Sequence, residues 1–402
     1  VSHSALQTKI IQADAARFNF TALPPLSLYI HVPWCVRKCP YCDFNSHQAG
    51  DEIPEKTYID ALIKDLEQDL PLVWGRTIQT IFIGGGTPSL FSAEAYDRLF
   101  SALRALLPIR ADAEITLEAN PGTFEAAKFT DYRAVGINRL SIGIQSFNGD
   151  SLTALGRIHD GKQAIRAAEI AHQAGFDNFN LDLMFGLPKQ TAELAKKDVQ
   201  TAIALEPTHI SYYQLTIEPN TFFHQSPPQL PDDEPIYDWQ IANQQRLAEA
   251  GYLQYEVSAY AKKGCQSRHN LNYWQFGDYL GIGAGAHGKL TSAATQSIER
   301  LVKQKQPQAY LERVNSPQRI LKQEQVGINE IGFEFMLNAL RLTEGFATPL
   351  FMQHCGVPLT TIKNQLAEAE ERGLIDYSVE WIRPTELGQR YLNSLIELFL
   401  PE

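Results

Sequence analysis

The sequence predicts an α/β protein, a partial (β/α)6 TIM-like barrel with a small α-rich, winged-helix-like C-terminal domain. Three observations predict it. Short β-rich runs alternate with longer stretches of helical period, the pattern of parallel strands joined by crossover helices. The runs end in polar or glycine-rich residues, and that end of a parallel barrel is where sites are built. From about Gln323 onward the alternation gives way to amphipathic helices.

The strands read in order as "SLYIHV", "TIQTIFIGGG", "AEITLEANPG", "NRLSIGIQSF", "FNLDLMFGLP" and "HISYYQLTIEP". Between them lie helical segments such as "EKTYIDALIKDLEQDL", "AEAYDRLFSALRALL" and "GKQAIRAAEIAHQAG". Six such units give an open barrel, with "QYEVSAY" extending the sheet; a doubly wound sheet is the alternative. The last section holds "EQVGINEIGFEFMLNALRL", "LTTIKNQLAEAEERGLI" and "DYSVEWIRPTELGQRYLNSLIELFL", hence two amphipathic helices, a strand-like pair and a final helix. The organisation expected is an N-terminal extension over 1–25, the barrel over 26–290, a linker over 291–322 and the C-terminal domain over 323–402.

Hydrophobic residues make up 44% and charged residues 20% of the 402, a globular composition with no apolar run of membrane-spanning length. A net charge of −11 argues against broad nucleic-acid binding, and the acidic "AEAEERG" run gives the C-terminal domain no basic recognition helix. The first residues lack the layout of a secretory signal, so a cytoplasmic location is expected.

Three of the five cysteines, Cys35, Cys39 and Cys42, cluster in "HVPWCVRKCPYCDFNSH". In a reducing compartment such a cluster points to metal rather than disulfides. Three thiolates on one loop leave one iron of a [4Fe–4S] cube open, whereas zinc completed by His31 or His47 is the alternative. Glycines in "GGGTP" let backbone approach a ligand. Glu118, Gln145 and Asp182 fall on strands, and Arg157 lies in the loop after the fourth.

The loop "YIHVPWCVRKCPYCDF" resembles the cluster loop of the radical S-adenosylmethionine superfamily. With "IGGGTPS", "LEANPGT", "SIGIQSF", "GRIHD", "NLDLMFGLP" and "HNLNYWQFGDYLGIGAGAHG" in order, the chain is similar to the anaerobic coproporphyrinogen III oxidase (HemN-like) family. Within it, the chain resembles the HemW haem chaperone subfamily. The resemblance runs from about Leu26 to the C-terminus. It implies a [4Fe–4S] cluster on Cys35, Cys39 and Cys42, with S-adenosylmethionine on the fourth iron. It assigns Tyr29, Tyr41, Gly85, Gly86, Thr87, Glu118, Gln145, Arg157 and Asp182 to that cofactor.

Two features separate dehydrogenase from haem carrier. Phe44 stands where HemN enzymes commonly carry a further cysteine, and only a short arm precedes the first strand. The "HNLNYW" segment matches HemW proteins, and implies His269 as haem iron ligand, Tyr273 and Trp274 as flat surface and Arg268 as a propionate partner. His287 competes as a ligand; Cys265 and Cys355 read as packing residues. The expected function is therefore haem binding and transfer to acceptor haemoproteins, respiratory ones among them, with membrane contact and a homodimer left open. The alternative is oxidative decarboxylation of coproporphyrinogen III, and a zinc scaffold is a third reading.

Overall fold

The computed structural model describes residues 17–50, 52–122 and 126–401; residues 1–16 of the expected extension lie outside the described residues. The chain starts with β1 (Leu26–Val32), whose residues are almost all buried, as a parallel strand covered on both faces requires. Then α1 (Glu55–Asp69), β2 (Ile78–Gly85), α2 (Ala93–Leu106), β3 (Ile109–Ala119), α3 (Phe129–Val135) and β4 (Arg139–Gln145) follow. The alternation continues through α4 (Gly161–Gln173), β5 (Phe179–Phe185), α5 (Ala192–Ala204), β6 (His209–Gln214) and α6 (Asp233–Glu249). Local chemistry sets the helix starts. The Ser92 hydroxyl accepts from the Ala95 N–H ahead of α2, and Asp160 with Gln163 forms a reciprocal cap on α4.

Strands β1 to β6 pair in parallel, each with the next. On one flank β7 (Leu253–Glu256) and β8 (Ala259–Ala261) extend the sheet, β8 running antiparallel to β6. On the other flank, after α7 (Arg268–Trp274), β9 (Asp278–Ile282) pairs in parallel with β1. Next come β10 (His287–Ser292), β11 (Ser297–Lys303), α8 (Pro307–Arg313) and β12 (Ile320–Gln325). The result is one twelve-stranded sheet, β12-β11-β10-β9-β1-β2-β3-β4-β5-β6-β8-β7, open at both ends.

The segment 291–322 is therefore not the linker expected from its polar sequence. It completes the sheet with antiparallel strands, and it carries a buried charge network. Lys303 Nζ donates to Asp65 Oδ1 at 2.6 Å, Arg319 Nη2 donates to Asp69 Oδ1 at 2.6 Å, and the Tyr310 hydroxyl donates to Asp65 Oδ2 at 2.8 Å. Asp65 and Asp69 lie on α1, so the hairpin is bolted to the first helix of the barrel.

The C-terminal section packs α9 (Ile331–Ala339), α10 (Pro349–Cys355), α11 (Lys363–Glu371) and α12 (Leu392–Glu397). They sit against a small antiparallel sheet of β13 (Phe346–Ala347), β14 (Ile375–Tyr377) and β15 (Trp381–Pro384). Phe335 centres its core, edge-on to Phe276, Phe346 and Phe351 at 5.9, 5.0 and 5.1 Å between ring centroids. Phe276 and Ile298 come from the barrel side, and Phe20 comes from the extension, whose Asn19 N–H donates to the Gly356 carbonyl.

Candidate functional site

Beyond β1 the chain forms a lasso. Trp34 and Cys35 pair in parallel with His47 and Gln48, closing the loop that bears all three clustered cysteines. Inside it the Cys42 N–H donates to the Cys39 carbonyl at 3.1 Å, and Lys38 Nζ donates to the carbonyls of Phe44 and Ser46 at 3.2 and 3.3 Å. The loop is clamped from the far flank of the sheet. Asn45 Nδ2 donates to the carbonyls of Ala284 and Lys305 at 3.0 and 2.9 Å. The Tyr58 hydroxyl donates to the His31 carbonyl at 2.7 Å and accepts from the Ala284 N–H at 2.8 Å. Gly285, with φ of +85°, passes so close that a Cβ there would lie 2.1 Å from Asn45 Nδ2.

The three thiols open onto a cavity of ≈ 420 Å³ inside the barrel mouth. Burial raises the Cys35 and Cys42 thiols above their ordinary range, with hydrogen bonds from Thr87 to Cys35 and from Ser46 to both thiols opposing that shift. Arg157 reaches them from the other side. Its Nη1 donates to Cys39 Sγ at 3.6 Å, while Nη2 donates to Asn120 Oδ1 at 2.7 Å and to the Gly143 carbonyl at 2.8 Å. Opposite stand two carboxylates. Glu118 is pushed up to about 7 by burial and then by the charge of Asp182, and its Oε2 accepts from the Gly85 N–H at 3.0 Å. Asp182 is likewise raised by burial, although it accepts from Asn180 Nδ2 at 2.7 Å and from the Ser141 hydroxyl at 3.3 Å.

Gln145 closes β4 in the left-handed region at φ +69°, a cost for a non-glycine residue that its surroundings must enforce. The Tyr213 hydroxyl donates to its Oε1 at 2.8 Å. Tyr41 packs near Phe223 at 6.5 Å and lines the cavity beside Cys39. Asn120 and Tyr213, which hold Arg157 and Gln145, were not singled out from sequence; Asn120 sits inside the "EANPG" run, and that was the available signal.

The donor set fits a thiolate-held cluster with S-adenosylmethionine beside it. Three thiols share one wall, two carboxylates of raised pKa face the cavity and suit a cationic amino or sulfonium group, and Arg157 suits a carboxylate. Such a cluster, if bound there, would be able to supply an electron to the sulfonium. The zinc alternative loses its nitrogen. His31 has both ring nitrogens engaged, Nδ1 with the Tyr29 hydroxyl at 2.9 Å and Nε2 with the Asn45 carbonyl at 2.8 Å. His47 Nε2 meets Asn45 Oδ1 at 3.3 Å.

Gly85 and Gly86 of "GGGTP" do line the cavity, and protein packs close behind them as well. A Cβ on Gly85 would lie 2.5 Å from the His31 ring, and one on Gly86 2.5 Å from the Trp34 carbonyl oxygen. One expectation changes. His269 is not a ligand held open on a loop. It opens α7 and is 1% exposed, Nδ1 with Thr80 Oγ1 at 2.7 Å and Nε2 with the Tyr273 hydroxyl at 3.3 Å. Burial, then Arg139, lowers its pKa to about 3. Both nitrogens serve the barrel floor, because its backbone N–H donates to Glu114 and Thr80 lies at the start of β2. Arg268 turns to Asp112, donating to its carbonyl at 2.7 Å. Trp274 lines the thiol cavity, its ring 4.4 Å below Arg341.

A second cavity of ≈ 530 Å³ adjoins the first. Tyr29, Tyr273, Tyr279 and His287 line it, and it shares Phe44, Gly85, Glu118 and Asn270 with its neighbour.

Comparison with known proteins follows this geometry. The chain is 50% identical to heme chaperone HemW of Escherichia coli strain K12 over 380 residues, 94% of this chain and 99% of that protein. The chain belongs to the HemW family. The HemW of Bacillus subtilis strain 168 is 34% identical over 393 residues, again 94% of this chain and 99% of that protein. The radical SAM superfamily model matches residues 29–202, and the HemN C-terminal domain model matches residues 329–391. Membership of the superfamily implies a [4Fe–4S] cluster and S-adenosylmethionine. Coproporphyrinogen III oxidase (HemN) of Escherichia coli superposes with a TM-score of 0.79 at 24% identity, over 94% of this chain and 90% of that one, and so shares the HemW-family chain's fold. Among the described residues no helix is long and apolar enough to cross a membrane.

Proposed function

We propose that this protein binds haem and hands it to acceptor haemoproteins, with a [4Fe–4S] cluster on Cys35, Cys39 and Cys42 and exchangeable S-adenosylmethionine controlling the transfer. The observation that carries the reading is the end-to-end match at 50% identity to a protein named heme chaperone HemW. Phe44 supports it, since the position two residues after the third cysteine offers an exposed aromatic ring in place of another thiol. The same reading places the protein in the cytoplasm, where unpaired thiols persist, and its contact with membranes, where respiratory acceptors reside, is peripheral. Self-association belongs to the proposal as well, as a route by which cofactor occupancy gates release.

The test loads anaerobically reconstituted protein with hemin and adds an apo-haemoprotein. Appearance of the acceptor's holo spectrum, faster or slower with S-adenosylmethionine present, is the expected result. Failure to bind hemin at all would end the reading. The fold shared with HemN favours decarboxylation as the second reading. Anaerobic, reducing conversion of coproporphyrinogen III by cluster-loaded protein would establish it instead.

A further inference from the structure

The second cavity has the chemistry of a site for a flat metallated ring. Its walls are aromatic, with Tyr273 and Tyr279 edge-on at 4.4 Å and Tyr29 stacked on Phe82 at 6.3 Å. Its size falls within the range of small-molecule pockets, at ≈ 530 Å³. Phe44, 60% exposed, stands at its rim.

Two imidazoles reach the cavity. That of His31 is spoken for on both nitrogens. That of His287 is exposed, at the first residue of β10. Its backbone is fixed, because a Cβ on Gly281 would lie 1.9 Å from the His287 carbonyl oxygen, so only glycine on the neighbouring strand permits this approach. Lys305 and Arg300 lie near enough to His287 to act on its ring electrostatically, and they are the charge type a propionate needs. Arg300 is already engaged, Nη1 donating to the Tyr279 hydroxyl at 3.3 Å and Nη2 paired with Glu334, which leaves Lys305 as the cation for a propionate.

We propose that haem binds in the cavity of Tyr29, Tyr273 and Tyr279, with His287 as its iron ligand and Lys305 beside a propionate. The proposal rests on the haem-carrier reading and deepens it. His269 then acts as a positioning residue, holding the Tyr273 hydroxyl from below.

The test titrates hemin into wild type, His287→Ala, His287→Gly and His269→Ala, following the Soret band and the ferric EPR spectrum. Iron and sulfide content and circular dichroism check the folding of each. The expected result is a loss of affinity of about tenfold or more in both His287 variants, with the imidazole-ligated spectrum gone. Free imidazole restores that spectrum in His287→Gly, whereas His269→Ala, which loosens Tyr273, lowers affinity while the imidazole-ligated spectrum persists. Unchanged affinity and spectrum in the His287 variants, with wild type binding hemin, would overturn the site and leave the carrier reading standing. A wild type that takes up no hemin removes the carrier reading and the site with it.

Discussion

Glu118 carries a carboxyl that burial, then Asp182, pushes up from 4.5 to about 7, with the Gly85 N–H pulling the other way. The folded value lies above the unfolded one, so the empty fold loses stability as pH rises between the two and stays at its lower level above them. Glu118→Gln removes that cost. At pH 8 the cofactor-free variant is expected to be more stable than wild type, by up to about 3 kcal/mol, and the gap closes toward pH 4.5. Urea midpoints at the two pH values check this. A cationic ligand favours the ionised form, so wild-type affinity for S-adenosylmethionine is expected to rise from pH 6 to 8, and calorimetry of the variant should show a flatter profile and weaker binding. At this scale the cysteines, Glu118, Arg157 and Asp182 were legible because their residue types announce chemistry. The contacts of His269 and of the glycines were not legible because what they touch is distant in sequence. Thr80 decides the first, and His31 and Trp34 decide the second. Gly285→Ala is a further check. The added methyl must displace Asn45, so cluster content after anaerobic reconstitution should fall well below wild type, with the far-UV spectrum preserved.

Among elements, the hairpin β10–β11 and strand β12 brace the cysteine lasso from outside the thiol cavity. They bring Lys303 and Arg319 onto Asp65 and Asp69 of α1, and Asp65 Oδ2 also accepts from the Gly283 N–H at 3.2 Å. Gly283 and Gly285 belong to the strip that grips the cysteine lasso. Lys303→Met would leave Asp65 and Asp69 with Arg319 as their one remaining counter-charge in this network, and removal of one partner of a buried pair typically costs about 3–5 kcal/mol. The expected outcome is a thermal midpoint lowered by several degrees together with faster loss of iron in air. A variant with normal iron retention would detach this network from the lasso. The parallel strands were readable because strands covered on both faces are written as apolar runs bounded by glycine and polar residues. Segment 291–322 was not. Its strands carry lysine, arginine and glutamate, which look like solvent residues until α1, far upstream, supplies their counter-charges.

At the scale of the whole molecule, barrel and C-terminal domain share a core. Phe20, Phe276 and Ile298 reach into it, and ion pairs of Arg300 with Glu334 and Arg341 with Glu256 tie the two together. A chain cut after residue 322 would bare these apolar groups. It is expected to aggregate or bind a hydrophobic dye strongly, where the intact protein does neither; a soluble, dye-silent barrel would contradict the shared core. The fold class was legible from alternation alone, but not this interdependence, because three aromatic or aliphatic residues scattered over the chain give no periodic signal. The two cavities at the barrel mouth have one more consequence. Phe44, Gly85, Glu118 and Asn270 line both, so a ligand on either side meets the same residues. Whatever tenant settles on one side alters the tenancy of the other, and thermodynamics makes the influence mutual. Two ligands seated in these cavities would be coupled through the residues common to both.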